Sequence, residues 1–313
     1  MPERVLVIGK NGQLGLSLQK VAAEYGNLEL EFVGREKMDL ACANTVSQFF
    51  SRAQPYAAII NAAAYTAVDK AESEPELADR VNHLAVRQLA EIASEQGAFL
   101  LHVSTDYVFD GISHRPWLET DPVTPINEYG RSKLAGERAI LASGCRGAIV
   151  RTSWLYSEFG NNFVKTMLKL GDEREALGVI FDQVGTPTYA TDLARVLLAF
   201  LGEPASTNGA VQAGVELYHY SNEGVCSWYD FALAIFELAE VECRVNPIEA
   251  RAYPTPATRP HYSVLNKGKI RRKLGITVPY WRDSLKVCRA ELTRNYVKSS
   301  LFALNRRGIR QHN

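Results

Sequence analysis

The sequence has few cysteines, no excess of charge of either sign and no long apolar run. Its 313 residues carry 35 basic (Lys plus Arg) and 35 acidic (Asp plus Glu) side chains, so the formal net charge is zero. Nucleic-acid-binding proteins usually show a basic excess. No segment approaches the ~18 uncharged apolar residues of a membrane-spanning helix, and the N-terminal run 4–9 is too short for a signal-peptide core. The expected protein is therefore cytoplasmic, with neither nucleic acid nor membrane as a partner.

The five cysteines lie far apart and form no C-x-x-C pair. Their number is odd and the chain is not small, so the pattern indicates free thiols in a reducing compartment. It also argues against a catalytic cysteine. The cysteines are Cys42, Cys145, Cys226, Cys243 and Cys288.

Short β-branched segments alternate with helical segments through the first half of the chain. This alternation predicts an α/β fold, a Rossmann-like doubly wound parallel sheet with helices on both faces. Runs that are apolar throughout, such as Ala57–Ile60, are expected when both faces are covered. The predicted strands are Arg4–Ile8, Glu29–Val33, Ala57–Asn61, Phe99–Ser104 and Ala148–Thr152, and the predicted helices are Leu14–Tyr25, Thr45–Gln54, Pro75–Gln96 and Tyr129–Leu141.

After about residue 155 the alternation loosens, and the length suits roughly two domains. We predict an NAD(P)-binding Rossmann-like domain at 1–155. Residues 156–300 are expected to form mainly a smaller C-terminal substrate lobe, with some segments returning to the first domain, and 301–313 a tail. The prolines of Tyr253–Pro260 exclude a helix interior there. Helices are predicted at Asn162–Leu170, Thr191–Leu201 and Ser227–Ala239, with strands near Val179–Phe181 and Leu217–Tyr220.

Three glycines follow the first predicted strand and open the first predicted helix. Gly9, Gly12 and Gly15 have the spacing G-x-x-G-x-x-G. Glycines at such a turn let the backbone approach a pyrophosphate, and the helix N-terminus offers free amides and a partial positive charge. The triplet alone is a weak signal, but its place after strand one of an alternating α/β pattern indicates a dinucleotide site.

The residues after the second predicted strand bear on the choice of cofactor. In Rossmann folds an acidic residue about 20 positions beyond the glycines holds the ribose 2′-hydroxyl of NAD, whereas an arginine accommodates the 2′-phosphate of NADP. Counting from Gly15 leads to Gly34 and Arg35, with Glu36 next in the chain. The sequence therefore favours NADPH, with NADH as the alternative.

Tyr129 and Lys133 form a Y-x-x-x-K pair within a predicted helix. Positions i and i+4 share one helix face, so the ammonium can lie near the phenol. Bringing a tyrosine pKa from about 10 towards neutrality takes about 4 kcal/mol. A cation about 4 Å away contributes roughly that much at an effective dielectric of about 20. The pair is a candidate proton donor or acceptor, although the spacing alone is common by chance.

Two hydroxyl-bearing residues mark the end of the fourth predicted strand. Ser104 and Thr105 stand at the carboxyl end of an apolar strand, which is where open α/β sheets bind ligands. A hydroxyl at this place could hydrogen-bond a substrate carbonyl.

Six stretches together carry a resemblance that covers most of the chain. They are Gly12–Gly15, Asn61–Glu72, Ser104–Phe109, Tyr129–Lys133, Arg151–Trp154 and Arg259–Pro260. Together they resemble the extended short-chain dehydrogenase/reductase family and, within it, the dTDP-4-dehydrorhamnose reductases. The block Asn61–Glu72 is long enough to be quite specific. The resemblance implies NAD(P)H-dependent reduction of the 4-keto group of a nucleotide-activated deoxysugar, with dTDP-4-dehydro-L-rhamnose as the first expectation.

The resemblance also implies roles for single residues. Tyr129 would protonate the nascent alkoxide, Lys133 would lower the pKa of that phenol and hold the nicotinamide ribose, and Thr105 would orient the carbonyl. The residues expected to contact the nucleotide-sugar are Thr105, Asp106, Trp154, Asn162 and Arg259. Those expected to contact the cofactor are Gly9, Gly12, Gln13, Leu14, Gly15, Arg35, Asp39, Leu40, Ala62, Ala63, Ala64, Tyr65, Thr66, Tyr129 and Lys133.

The sequence departs from the family at Ser17. Some members carry a glutamate at this place, two residues after the third glycine, as part of a magnesium-bridged dimer interface. We therefore predict no bound metal, and a homodimer stays an open alternative.

Two other functions remain open at this stage. The regulatory β subunit of methionine adenosyltransferase resembles the same family and acts through a partner chain. The intact Tyr129, Lys133 and Thr105 argue against a purely regulatory role. A related nucleotide-sugar epimerase or dehydratase is the other alternative, because dehydratases need an acid beside the active-site threonine and Asp106 follows Thr105. The whole-chain resemblance favours the reductase.

Overall fold

A six-stranded sheet forms the centre of the molecule. The computed structural model describes residues 3–202 and 214–308. Its strands are β1 (Glu3–Ile8), β2 (Leu28–Val33), β3 (Ala58–Asn61), β4 (Phe99–Thr105), β5 (Arg146–Thr152), β6 (Leu155–Tyr156), β7 (Ala176–Ile180), β8 (Val184–Gly185), β9 (Thr188–Tyr189), β10 (Val215–His219), β11 (Cys226–Ser227) and β12 (Arg244–Ile248).

Helices cover both faces of this sheet and build the rest of the molecule. The α-helices are α1 (Gln13–Val21), α2 (Ala43–Arg52), α3 (Val68–Ala71), α4 (Pro75–Asp79), α5 (Ala85–Gln96), α6 (Glu128–Ala142), α7 (Phe163–Glu173), α8 (Ala190–Gly202), α9 (Trp228–Ala239), α10 (Gly268–Leu274) and α11 (Trp281–Gly308). Shorter helical turns lie at Ala22–Glu24, Arg80–Leu84, Asp106–Val108 and Ala250–Ala252.

The order of the strands creates a crevice at one edge of the central sheet. The order is β10-β5-β4-β3-β1-β2, and every pairing is parallel. The chain moves from β1 outwards to β2, and then returns to the other side of β1 to form β3. At such a switch point the connections diverge, which leaves room for a ligand outside the carboxyl ends of the strands. The predicted doubly wound parallel sheet is confirmed.

Alternate residues of the strands pack into separate cores on the two faces of the sheet. Val5 and Val7 face a core shared with α1 and α8, whereas Leu6 and Ile8 face one shared with α2 and α5. All four side chains are at most 2% exposed. Burying an aliphatic side chain of this kind contributes about 1.5–3 kcal/mol. The continuous apolar strands seen in the sequence therefore follow from helices on both sides.

The predicted helix Pro75–Gln96 contains a wide π turn. α4 continues through Arg80–Leu84 directly into α5. Asn82 lies in this turn and is 1% exposed. Its side chain accepts from the backbone N–H of Tyr65 (2.9 Å) and donates to Ser132 of α6 (3.0 Å). The turn thus fixes the loop after β3 against α6, and π turns are often found at functional sites.

The second half of the chain contributes to the central sheet and to a separate aromatic core. β10 is the sixth strand of the sheet, and α8 packs on α1. α7, α9 and α11 surround a core that includes Tyr156, Phe231 and Trp281. The helices predicted after residue 155 correspond to α7, α8 and α9, and the strands to β7 and β10. The domain boundary at residue 155 stays a prediction.

The C-terminal segment begins as a long helix. α11 runs to Gly308, so it includes the first part of the predicted tail, while residues 309–313 lie outside the described residues. In the part of the chain that the structure describes, no helix combines the length and apolar character needed to cross a bilayer.

The cysteines are all free thiols, as predicted. Cys42 is exposed just before α2, whereas Cys145, Cys226, Cys243 and Cys288 are buried. The last four pack as small apolar side chains, which is the usual behaviour of a buried free cysteine.

Candidate active site

The glycine turn after β1 presents backbone atoms at the edge of the sheet. Gly9 has a φ of +96°, which other residues rarely adopt, and a Cβ on it would lie 2.9 Å from the Ala63 amide nitrogen. A Cβ on Gly15 would overlap the Gly9 carbonyl oxygen. Gly12 immediately precedes α1, so the free amides and positive end of that helix meet at the turn. This cradle fits the pyrophosphate of a dinucleotide.

A cavity of about 170 Å³ adjoins the glycine turn at the switch point of the sheet. Met38 and Val81 give it an apolar wall suited to an aromatic base, and sequence reasoning missed both. The predicted cofactor residues that the structure brings together in its lining are Gly9, Gly12, Arg35, Asp39, Leu40, Ala63 and Ala64.

Arg35 lines this cavity and Glu36 follows it in the chain, but the two side chains have different ionic partners. The Arg35 side chain is 75% exposed, with its Nε 3.6 Å from a carboxylate oxygen of Asp39. Glu36 instead forms an ion pair with Lys10 (2.5 Å), and this contact lowers the pKa of Glu36. The acid that would oppose a 2′-phosphate is thus already neutralised, whereas the guanidinium is accessible. This arrangement supports the preference for NADPH.

We expect Arg35→Ala to raise the Kd for NADPH about tenfold or more, and the Kd for NADH much less. A charge-assisted hydrogen bond to the 2′-phosphate contributes about 1.5–3 kcal/mol, and NADH lacks that phosphate. Both constants can be measured by fluorescence titration. Lys37→Ala is the matched control, because Lys37 is an exposed cation that does not line the cavity. Equal losses for NADPH and NADH in Arg35→Ala would remove Arg35 from the cofactor site.

Eight of the predicted cofactor residues lie outside the lining of the cavity: Gln13, Leu14, Gly15, Ala62, Tyr65, Thr66, Tyr129 and Lys133. Ala62 joins β3 to β1 through its N–H, and Leu14 packs in the core beneath α1. The Tyr65 hydroxyl donates to Glu74 (2.6 Å), and Thr66 is exposed. Their part in cofactor binding stays a prediction.

Gln13 and Asn162 connect α1 to the segment that leads into α7. The Gln13 side-chain oxygen accepts from Asn162 Nδ2 (2.9 Å) and from the Ser157 hydroxyl (3.0 Å). The Asn162 side-chain oxygen accepts from the Lys165 N–H and so caps α7. Both ends of the Asn162 amide are therefore engaged within the protein. A contact with the nucleotide-sugar, as predicted from the sequence, could use the second acceptor position of the Asn162 side-chain oxygen.

α6 brings the proposed catalytic tyrosine to the carboxyl end of β4. The Asn127 side chain caps the helix by accepting from the Gly130 N–H (2.8 Å). A Cβ on Gly130 would overlap the Tyr107 carbonyl oxygen, so glycine lets the helix approach the turn after β4. There the Tyr129 phenol lies near the Thr105 hydroxyl, which influences its pKa. The structure thus brings together the phenol and the hydroxyl that the sequence assigned to one reaction centre.

The acidity of Tyr129 differs from the expectation. Desolvation raises the pKa of Tyr129 to about 12, and the nearby Thr105 hydroxyl lowers it by less. The buried Nζ of Lys133 makes no hydrogen bond to the phenol within the described residues, so its effect on the Tyr129 pKa stays a prediction. It donates to the Val103 carbonyl (2.7 Å) and contacts His102 Nε2 (3.2 Å). A phenol that keeps its proton at neutral pH is nonetheless suited to donate it.

Asp106 places a buried carboxyl beside these groups. It is 2% exposed and accepts from the Thr105 hydroxyl (3.0 Å). Burial raises the pKa of Asp106 to about 7, and the neighbouring Ser263 and Thr105 hydroxyls lower it by less. At neutral pH this carboxyl can therefore donate as well as accept a hydrogen bond.

Trp154 adopts a strained conformation against a second tryptophan. Its φ of +48° lies in the left-handed region, where strain is often retained for function. Its ring stacks on Trp228, with centroids 3.5 Å apart and an interplanar angle of 10°. A Cβ on Gly185 would lie 2.7 Å from the Trp154 ring, so glycine is required on the side next to it. Trp228 had no signal in the sequence beyond its aromatic character.

Arg259 is held by a carboxylate of α3. Its Nη2 and Nη1 atoms donate to the two oxygens of Asp69 at 2.7 and 3.0 Å. Nη1 also donates to Thr255 and to the Ala257 carbonyl, which ties the proline-rich loop to the first half of the chain. Nε donates no hydrogen bond to any residue that the structure describes. One edge of the guanidinium is thus left for a ligand.

Ser17, the position of the family's glutamate, is fully buried and donates to the Gln13 carbonyl (2.9 Å). Within the described residues, 3–202 and 214–308, no group of three or more His, Cys, Asp or Glu side chains could hold a metal ion. The absence of a metal from the working protein stays a prediction.

The comparisons with known proteins agree with this geometry. The sequence profile of the RmlD substrate binding domain matches residues 3–294. A curated dTDP-4-dehydrorhamnose reductase of Sinorhizobium fredii is 43% identical over 285 residues, which cover 90% of this chain and 95% of the relative. Among solved structures, the reductase of Clostridium acetobutylicum is 39% identical with a TM-score of 0.84, covering 93% of this chain and 99% of that one. The Bacillus anthracis reductase, solved in complex with NADP, is 38% identical with a TM-score of 0.85, covering 93% and 100%.

A doubly wound sheet, a glycine cradle at its switch point and a Tyr-x-x-x-Lys helix beside a strand-end threonine define an NAD(P)-dependent oxidoreductase of the extended short-chain dehydrogenase/reductase class. The profile match covers nearly the whole chain, and the relatives are matched over almost their full length. The chain belongs to the dTDP-4-dehydrorhamnose reductase family.

Proposed function

We propose that this chain uses NADPH to reduce the 4-keto group of a nucleotide-activated deoxysugar, converting dTDP-4-dehydro-L-rhamnose to dTDP-L-rhamnose. The observation that carries the proposal is the meeting of Thr105, Asp106 and Tyr129 at one edge of the sheet that also carries the glycine cradle. The relatives' shared name supports the choice of sugar and base.

The residues of the chain supply the proton and hold the charge that develops on oxygen. NADPH, when bound, supplies the hydride. Thr105 orients the carbonyl, and Tyr129, still protonated at neutral pH, donates its proton to the nascent alkoxide. Burial lowers the pKa of Lys133 to about 8, against the attraction of Glu137, so near neutral pH the amine is mostly charged and can stabilise the tyrosinate. We also assign the nicotinamide ribose to Lys133.

The nucleotide-sugar would lie between the catalytic groups and the second half of the chain. Trp154, backed by Trp228, offers an aromatic face, and Asp106 offers a carboxyl that can donate or accept. The Nε of Arg259, which donates no hydrogen bond to a described residue, suits an oxygen of the diphosphate, because a guanidinium forms charged hydrogen bonds. Asn162 can join this site through the second acceptor position of its side-chain oxygen, while its amide nitrogen keeps its bonds to Gln13 and Ser157.

We expect Arg259→Ala to raise the Michaelis constant for the nucleotide-sugar about tenfold or more, since a charged hydrogen bond contributes about 1.5–3 kcal/mol. Steady-state kinetics at saturating NADPH give the value. Arg251→Ala is the control, because that arginine is nearby in sequence and 84% exposed. A fall in kcat at an unchanged Michaelis constant would show that Arg259 is not a binding residue.

The activity itself is tested with a panel of 4-keto nucleotide-sugars, by following the loss of reduced-nicotinamide absorbance. Turnover of the dTDP-4-keto-6-deoxy sugar supports the proposal. Tight NADPH binding without oxidation by any member of the panel would favour the regulatory-subunit alternative. Loss of water from the sugar without net cofactor oxidation would favour a dehydratase.

Location and assembly form part of the same proposal. Four of the five free thiols are buried and none is paired, which fits the reducing cytoplasm. The two assemblies considered are a monomer and a homodimer, and sedimentation equilibrium distinguishes them.

A further inference from the structure

The segment between β6 and α7 is attached to both ends of α1. At the start of that helix, the Gln13 side-chain oxygen lies 2.9 Å from Asn162 Nδ2 and 3.0 Å from the Ser157 hydroxyl. At its last turn, Lys20 forms a 2.6 Å ion pair with the buried carboxylate of Glu158. Because α1 begins at the glycine cradle, the segment is bound to the helix whose N-terminus serves the cofactor.

The bonds of Asn162 fix the orientation of two side-chain amides. Its oxygen accepts from the Lys165 N–H (3.2 Å) and its nitrogen donates to the Ser157 carbonyl (2.8 Å), so the oxygen and nitrogen cannot exchange places. The nitrogen that faces Gln13 can only donate, and it therefore requires the oxygen of Gln13 as its partner. Gln13 Nε2 donates no hydrogen bond to any residue that the structure describes, which leaves it for a ligand.

Gln13 stands where a dinucleotide would offer its pyrophosphate. It is the first residue of α1 and directly follows Gly12, which lines the cofactor cavity. An amide N–H suits a pyrophosphate oxygen, because hydrogen bonds to charged groups are stronger than those between neutral groups. A Gln13 amide turned by half a rotation would instead present its oxygen to the negative charge. Asn162 disfavours that orientation, since its own nitrogen would then face the Gln13 nitrogen.

The helix that Asn162 caps leads to the tryptophan pair of the proposed sugar site. Phe163 is the first residue of α7, and its ring centroid lies 4.6 Å from that of Trp228. Trp228 in turn stacks on Trp154. The start of α7 is therefore in contact with the cofactor helix on one side and with the aromatic rings of the second half of the chain on the other.

We propose that Asn162 is a positioning residue for the cofactor: it holds Gln13 with its amide nitrogen available to the pyrophosphate, and the bound dinucleotide in return stabilises the start of α7. The coupling is reciprocal. If the state of α7 changes the affinity for the dinucleotide, the dinucleotide must change the stability of α7 by the same factor. The inference concerns dinucleotide binding alone, so it does not depend on which sugar the chain reduces.

The first test is a double-mutant cycle on the Kd for NADP⁺, measured by isothermal titration calorimetry on the full-length protein without a sugar. Asn162→Ser keeps a hydroxyl that can cap α7 but removes the donor that faces Gln13. Gln13→Met removes the amide itself. We expect the Kd to rise about fivefold in Asn162→Ser and about tenfold in Gln13→Met, because a bond to a charged group is misaligned or lost. The double variant should bind no more weakly than Gln13→Met alone.

Ser227→Ala is the matched control for this cycle. Ser227 caps α9, another helix of the second half of the chain, through its bonds with Asp230, so the substitution removes a helix cap away from α1. Its Kd for NADP⁺ should equal that of the wild type. An unchanged Kd in Asn162→Ser, or effects of Asn162→Ser and Gln13→Met that multiply in the double variant, would overturn the proposal. The Tm of each variant shows that it is folded.

The second test follows amide hydrogen exchange at the start of α7 by NMR and leaves Asn162 in place. The Lys165 amide, which bonds to the Asn162 side chain, reports the local opening of this turn. We expect NADP⁺ to slow its exchange about threefold or more in the wild type, and saturating NADP⁺ to have no such effect in Gln13→Met. Equal exchange with and without NADP⁺ in the wild type would overturn the proposal, even if Asn162→Ser failed to fold. Neither test uses a sugar, so a chain that reduces none would disprove the proposed function and leave this inference standing.

Discussion

Replacing Tyr129 with phenylalanine is expected to lower kcat about 10²–10⁴-fold, the usual contribution of general acid catalysis, with the Kd for NADPH nearly unchanged. The substitution keeps the ring and removes only the phenolic proton. Hydride addition to a ketone leaves negative charge on oxygen, and in a water-poor cleft that charge has to be neutralised by a positioned proton donor, the role proposed for Tyr129. Pre-steady-state kinetics, under conditions where the chemical step limits turnover, give the decisive value.

Tyr107 provides the matched control for this experiment. Its ring packs edge to face against Tyr129, with centroids 5.5 Å apart, so Tyr107→Phe removes a phenol from the same surroundings. A small loss in this variant beside a large loss in Tyr129→Phe assigns the proton to Tyr129. If Tyr129→Phe kept more than about a tenth of the wild-type kcat, the regulatory-subunit alternative would become the better one, and a partner chain should be sought.

Replacing Arg151 with methionine is expected to lower the free energy of unfolding by about 3–5 kcal/mol, because it leaves a buried carboxylate without its partner. The Arg151 and Glu137 side chains are 3% and 1% exposed, and their closest atoms are 2.6 Å apart. The Ser104 hydroxyl also donates to Glu137. This cluster attaches the inner face of α6 to β4 and β5. Urea denaturation followed by circular dichroism measures the loss.

The double variant Arg151→Met/Glu137→Leu tests whether the loss comes from the unpaired charge. With both charges gone, well-packed apolar side chains can restore much of the stability, so the double variant should unfold at higher urea than Arg151→Met alone. A loss below about 1 kcal/mol in Arg151→Met would place the pair among ordinary surface ion pairs.

The sequence predicted the central fold because its signals were local and repeated. The alternation of apolar strands with helices predicted a parallel sheet with helices on both faces. The glycines of the first turn could be placed because they follow β1. The same reasoning located Arg35 beside the cofactor cavity, since the end of β2 must lie near the switch point. It also located Thr105 near Tyr129, because the carboxyl ends of parallel strands share one edge.

The rest could not be predicted because it depends on which distant side chains meet. The pairing of Arg259 with Asp69 joins residues 190 positions apart. The helical spacing of Tyr129 and Lys133 suggested a direct contact, yet the lysine turns to the Val103 carbonyl and His102 instead. One signal was available: a histidine within an otherwise apolar strand is expected to be hydrogen-bonded, which could have directed attention to His102.

The single exposed thiol offers a natural attachment point for a maleimide dye. Cys42 is exposed while the other four cysteines are buried, so the unmodified protein should take one label under native conditions. Cys42 follows shortly after Leu40, which lines the cofactor cavity, and directly precedes α2. A fluorophore at this place would be close enough to the cavity for its emission to report the arrival of the dinucleotide, with no substitution introduced into the chain.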